Sequence, residues 1–80
     1  MLALFERAVL TRDLPDEGLR AGDVGVIIEH YPATAEVPEG YELEMFAASG
    51  KTLAVVSAPA MFVRRATERD ILTVREVAGT

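Results

Sequence analysis

The stretch Val24-Gly25-Val26-Ile27-Ile28-Glu29 is the part of this sequence that decides the fold. β-Branched residues dominate it, and they favour extended strands because their χ1 angles are restricted. Alternate side chains of a strand share a face, which groups Val24, Val26 and Ile28 together. Gly25 inside the run indicates a bend or a close approach of another backbone. The stretch therefore predicts one strand of a small, bent sheet.

A second segment, Tyr41-Glu42-Leu43-Glu44-Met45, alternates strictly between apolar and acidic residues. This pattern predicts a strand with one face on the core and the other in water. The sequence Ala47-Ala48-Ser49-Gly50 follows and is typical of a hairpin connection, with Gly50 at the positive φ. Residues 52–57 form the predicted return strand.

Further strand-length segments alternate with turns along the chain, and no long helical period appears. A turn at 15–18 combines Pro15 with Gly18, and 59–61 predicts a single 3₁₀ turn. Residues 67–69 form a turn or, alternatively, 64–69 begin a short helix with Thr67 as its N-cap. The remaining predicted strands cover residues 5–11, 62–63 and 71–77, the last of which is either a barrel strand or an interaction arm. We therefore expect an all-β chain, with residues 1–80 forming one small antiparallel barrel of five to six strands and a short 3₁₀ turn.

Composition and charge narrow the range of functions. The chain has 80 residues, is 50% hydrophobic, contains no cysteine and carries a formal net charge of −5. Ten acidic residues face three basic ones in the first fifty positions, whereas five basic residues face three acidic ones afterwards. An acidic balance disfavours general nucleic-acid binding and suits a basic partner. We expect a cytoplasmic protein, since neither a signal peptide nor a membrane span is visible.

The sequence offers no convincing catalytic or metal site. His30 is the only histidine, and its neighbour Glu29 would point to the opposite side of a strand. Glu42 and Glu44 lie two positions apart on one face, where a solvated strand face explains them better than paired acid–base catalysis. A barrel of this size is filled by its own side chains. We predict no enzyme activity and no cofactor.

Several short motifs together suggest a known family. Leu14-Pro15, Gly18-Leu19, Gly22-Asp23-Val24-Gly25 and Tyr41-Glu42-Leu43-Glu44 occur in this order, followed by Leu53-Ala54-Val55-Val56. In this arrangement the chain resembles the small bacterial proteins of the domain of unknown function 4926 family, over residues 5–65. The resemblance implies an SH3-like barrel and an accessory or antitoxin-like role beside a partner protein. It implies no catalytic residues.

We therefore expect a protein-interaction module that binds a basic partner through an acidic face with aromatic anchors. Its candidate residues are Tyr31, Glu36, Glu39, Tyr41, Glu42 and Glu44. One alternative is a nucleic-acid-binding barrel of the KOW type. The candidates for that alternative are Lys51, Arg64, Arg65 and Arg69. Another is a non-catalytic subunit of an enzyme. Homo-oligomers are plausible under each interpretation, because an exposed edge strand can pair across a two-fold axis.

Overall fold

A computed structural model describes residues 1–77 of the chain. Within these residues, five antiparallel strands form one sheet in the order β4-β3-β2-β1-β5. Their bounds are β1 (Arg7–Leu10), β2 (Val24–Tyr31), β3 (Gly40–Phe46), β4 (Thr52–Pro59) and β5 (Val63–Arg65). Two 3₁₀ turns, Pro15–Glu17 and Ala60–Phe62, are the only helical segments of the described chain. The all-β prediction is confirmed, whereas closure into an SH3-like barrel stays a prediction.

The hairpin of β3 and β4 follows the predicted alternation. Tyr41, Leu43 and Met45 are 3%, 0% and 3% exposed, because they share the face of β3 that contacts the core. The connection between the two strands contains Gly50 at φ 96°, as its turn position predicts. The next strand pairs with β3 from Pro59 back to Thr52.

A β-bulge in β2 changes which residues of that strand face the core. Ile27 lies opposite Leu43, but Glu29 lies opposite Glu42, so Ile28 has no partner on β3. Before the bulge, the buried residues are Gly25 and Ile27, and Val24 and Val26 occupy the other face. After it, His30 lies opposite the buried Tyr41. The extra residue thus moves His30 to the core face and Glu29 to the outer face.

Gly25 allows the close approach of β3 that its position in a strand predicts. A Cβ atom at this position would lie 2.5 Å from Met45 Sδ and 3.0 Å from the Glu44 carbonyl oxygen. Both distances are shorter than ordinary van der Waals contact. Any larger residue at this position would have to displace the Met45 side chain and press on the β3 backbone, so glycine fits the close approach of β2 and β3.

The core is one cluster of buried side chains on one face of the sheet. Its members come from β1 to β4 and from the loop after β1: Ala8, Leu10, Leu19, Ile27, Tyr41, Leu43, Met45, Val56 and Ala58. No buried side-chain polar atom of the described chain lacks a hydrogen-bond partner. None of the described residues forms a helix long and apolar enough to span a membrane.

The segment after β5 differs from the prediction. Residues 71–77 form no strand, so the sheet has five strands in the described chain and the prediction of a strand there is wrong. The helix considered for 64–69 is also absent, because β5 extends to Arg65 and Thr67 begins a turn closed by Asp70. Arg64 donates two hydrogen bonds to Asp70, and Arg75 forms an ion pair with Asp23. These polar contacts hold the segment in place of a strand ladder, because β-branched residues favour a strand only where a neighbouring strand can pair with them.

Candidate functional site: an acidic face and the Tyr31 groove

The outer face of β2 and β3 carries a group of acidic side chains. Glu29 lies directly opposite Glu42 across the two strands, and Glu44 is two positions further along β3. Like charges placed directly opposite each other in a sheet destabilise it. No ion pair among residues 1–77 involves these three acids; Glu44 accepts a hydrogen bond from Thr52 Oγ1 at 2.6 Å. We call Glu29, Glu42 and Glu44 the acidic face.

Tyr31 lies at the end of the acidic face and is 43% exposed. Partial desolvation of its hydroxyl raises the pKa of Tyr31 above the usual value, and the negative charges of Glu42 and Glu29 raise it further. The phenol is therefore neutral at physiological pH and can donate a hydrogen bond. Exposed tyrosines supply a large contact area at a low entropic cost.

An open groove of about 340 Å³ lies beside Tyr31. Its lining is largely apolar and comes from β2, β3, β4 and the loop before β3: Tyr31, Val37, Pro38, Gly40, Tyr41, Ser57, Ala58 and Pro59. We call it the Tyr31 groove. Ser57 lies opposite Glu42, so the groove adjoins the acidic face. The apolar Tyr31 groove therefore lies next to the carboxylates of the acidic face.

The loop between β2 and β3, which supplies one wall of the Tyr31 groove, is fixed by polar contacts. His30 Nε2 lies 2.7 Å from Glu39 Oε2, and the Ala60 N–H donates to the Glu39 carbonyl at 2.8 Å. Within the loop, Thr34 Oγ1 accepts a hydrogen bond from the Val37 N–H at 3.0 Å. The wall is thus set in place before any ligand binds, which lowers the entropic cost of binding.

The structure brings together only part of the predicted binding set. Tyr31, Glu42 and Glu44 share the outer face, and Glu36 lies in the exposed loop that forms the groove wall. Glu39 belongs to the same loop, but its carboxylate already contacts the His30 ring. Tyr41, also predicted as an aromatic anchor, is 3% exposed, and its hydroxyl accepts a hydrogen bond from the Leu2 N–H at 2.9 Å. It lines the groove, and its part in binding stays a prediction.

Glu29 is the residue of this surface that the sequence interpretation missed. In the sequence it appears only as the neighbour of His30, and its pairing with Glu42 depends on the bulge at Ile28. Local alternation alone would place Glu29 on the face of Ile27. A stretch of five β-branched and glycine residues, followed by an acid next to a histidine, is the only local signal.

The four basic candidates for nucleic-acid binding do not form one patch. Lys51 lies in the hairpin loop beside the β4 edge, whereas Arg64 and Arg65 are in β5 at the opposite edge. Arg64 binds Asp70, and Arg65 forms an ion pair with Glu6. Arg64 and Arg65 thus pair with surface carboxylates of the same chain. Arg69 lies in the turn after β5, away from Lys51.

His30 contacts one carboxylate and the ring of Tyr41, whose centroid is 5.3 Å away. No group of three or more metal-ligating side chains converges within residues 1–77. The acidic face and the Tyr31 groove can instead hold a cationic side chain next to an apolar one.

The fold and this surface define a small antiparallel β domain with an acidic, aromatic outer face. Residues 4–61 match the family model described as Domain of unknown function (DUF4926), and the chain therefore belongs to this family. The matched region includes β1 to β4 and ends before β5. No curated protein matches the chain, and no solved structure matches it.

Proposed function

We propose that this domain is a protein-interaction module that binds a basic segment of a partner protein. The observation that carries the proposal is the opposed pair of Glu29 and Glu42, which has no counter-charge among the described residues. Such a pair costs stability in the free domain. A lysine or arginine of the partner placed between the two carboxylates would relieve this repulsion.

The Tyr31 groove would supply the second part of the recognition. Its apolar lining suits an apolar side chain beside the partner's basic residue, and Tyr31 provides an exposed aromatic contact. The net charge of −5 would steer a basic partner toward the domain. We infer an accessory role, which includes the antitoxin-like one implied by the family resemblance.

The two alternative functions have less support. Nucleic-acid binding would need a continuous basic surface, but the basic candidates lie at opposite edges of the sheet. A role as a non-catalytic enzyme subunit rests on analogy of fold alone. A titration against labelled single- and double-stranded oligonucleotides at low salt tests the first alternative. Affinity that falls steeply with salt would favour it over the protein-binding function.

The proposed function is tested by affinity capture from the native host, followed by a titration with the captured partner. The bait variants are Tyr31→Ala and Glu29→Gln. The matched control is Glu17→Gln, which removes one carboxylate from the exposed 3₁₀ turn Pro15–Glu17. We expect Tyr31→Ala and Glu29→Gln each to weaken binding about tenfold and the control to match the wild type. Failure to recover a partner at physiological salt, or equal binding by all variants, would contradict the proposal.

A further inference from the structure

The two edges of the sheet are protected very differently. The strand order leaves β4 at one edge and β5 at the other. An edge strand presents unpaired N–H and C=O groups, and natural proteins protect such edges with short strands, charges, prolines or bulges. The free edge of β4 therefore needs an explanation.

The β5 edge shows the expected protection. This strand has three residues, Val63–Arg65, and two of them are arginines. The guanidinium of Arg64 donates hydrogen bonds of 2.8 and 2.9 Å to Asp70, and Arg65 pairs with Glu6. A strand this short and charged cannot serve as a template for another chain.

The β4 edge lacks this protection along most of its length. Thr52–Pro59 has eight residues, and none of them is charged. A bulge at Leu53 and the proline at position 59 would hinder pairing with another chain, but only at the two ends of the strand. Between them, Val55 is 52% exposed on the outer face. No backbone hydrogen bond from elsewhere in residues 1–77 reaches the stretch 53–58 from outside the sheet.

We propose that β4 pairs antiparallel with β4 of a second copy of this chain, about a two-fold axis at Val55. The pairing would join the two sheets into one. Val55 would lie opposite Val55 of the second copy, with Ala54 opposite Val56 and Ser57 opposite Leu53. All of these pairs are uncharged, so a two-fold contact places no like charges directly together.

Charge also argues for a second copy rather than a basic partner at this edge. A strand without carboxylates gives a basic segment no counter-charge, whereas the acidic face does. The nearest acid is Glu44, opposite Val55 on β3. The Glu44 residues of two copies would be three strand spacings apart, about 14 Å. This exceeds the Debye length of about 8 Å at physiological salt, so their repulsion is largely screened.

Pairing at this edge would also extend the Tyr31 groove. Ser57, Ala58 and Pro59 at the end of β4 line the groove. Since Ser57 would lie opposite Leu53 of the second copy, that half-exposed leucine would reach the rim of the groove. The dimer itself does not depend on the proposed function, because its measurement needs no partner protein.

The first test is sedimentation of the wild-type chain from micromolar to millimolar concentration, at low and at raised salt. We expect a concentration-dependent dimer that persists or strengthens as salt rises, because apolar and backbone contacts hold it. A chain that stays monomeric at every concentration would overturn the proposal. Association that disappears in raised salt would also overturn it, since that outcome indicates a contact driven by charge.

The second test uses the absence of native cysteine. In Val55→Cys the two thiols would face each other across the axis, within the range that a disulfide spans. The matched control is Ile71→Cys, at a position that is 87% exposed and away from the edge. We expect Val55→Cys to form a covalent dimer on oxidation about tenfold faster than the control, because pairing raises the effective thiol concentration. Equal rates, with both variants folded by circular dichroism, would overturn the proposed pairing.

Discussion

Two neighbouring pairs of residues on β2 and β3 have opposite environments. Ile27 and Leu43 face each other on the core side, and both are 0% exposed. The next pair, Glu29 and Glu42, faces outward and sets two acidic residues opposite each other in the register. The first pair stabilises the sheet by burial, and the second destabilises it by repulsion. The comparison shows that the core face of the sheet provides the stability of the domain. The outer face is therefore available for binding.

The bulge at Ile28 makes this contrast possible. Without an unpaired residue between them, Ile27 and Glu29 would share a face, and burial of Ile27 would draw Glu29 toward the core. The bulge separates the two residues and places His30 next to Tyr41 instead. Because of this single extra residue, Glu29 faces the solvent, and His30 contacts Glu39 of the loop.

The largest effect is expected from damage to the core face. Leu43→Ala removes a fully buried side chain and should lower the free energy of unfolding by about 2–5 kcal/mol. Urea denaturation monitored by circular dichroism measures the change. Val37→Ala, at a loop position that is 59% exposed, is the control and should change stability by less than about 0.5 kcal/mol. Similar losses in both variants would show that the core is misassigned.

A smaller loss is expected where the two strands come closest. Gly25→Ala places a methyl group against Met45 Sδ and the Glu44 carbonyl, and it should cost about 1–3 kcal/mol. The double variant with Met45→Ala tests the cause, since removal of the thioether relieves one of the two contacts. Its loss should be smaller than the sum of the single losses. Full additivity would contradict the close contact.

On the acidic face, a substitution should stabilise the domain, whereas those in the core destabilise it. Glu42→Gln removes one of two opposed charges and should raise the free energy of unfolding by about 0.2–1 kcal/mol. The same change should weaken binding of the basic partner. Glu17→Gln, which removes a carboxylate without an opposed acid, should alter neither quantity. A loss of stability in Glu42→Gln would contradict the repulsion between Glu29 and Glu42.

The smallest effect concerns the ionisation of Tyr31. Its raised pKa favours the neutral phenol in the folded state, so its contribution to stability is present below the ordinary pKa of about 10 and is lost as pH rises through the folded value. The difference in absorbance at alkaline pH between the wild type and Tyr31→Phe isolates this titration. Glu42→Gln should lower the pKa of Tyr31 only partly, because desolvation is the largest cause of the shift. An unchanged titration would place Glu42 too far from the hydroxyl to act on it.

Several features of the fold could be predicted because they depend on neighbouring residues alone. Alternation from Tyr41 to Met45 predicts both the strand and its buried face, and the structure confirms both. The glycines at turn positions Gly18 and Gly50 have φ angles of 70° and 96°, as their places in the sequence indicate. The order of the short glycine and proline motifs also identifies the family.

Other features depend on contacts between distant segments, and local patterns do not contain them. Alternation places Tyr41 on the core face, but its nearly complete burial depends on the packing of β3 against β2 and on the contact with Leu2. Residues 71–77 are rich in β-branched residues, as strands are, but a strand requires a partner with free backbone groups. Ion pairs of Arg64 and Arg75 hold this segment instead.

By itself the sequence determined an acidic all-β domain of a known family, since composition, alternation and turn residues act locally. Only the tertiary structure decided that Glu29 opposes Glu42, that the Tyr31 groove lies beside them, and that β4 has a free edge. Each of these depends on strand register and strand order. Register is set by long-range pairing and shifted by one unpaired residue, Ile28, which no local pattern marks.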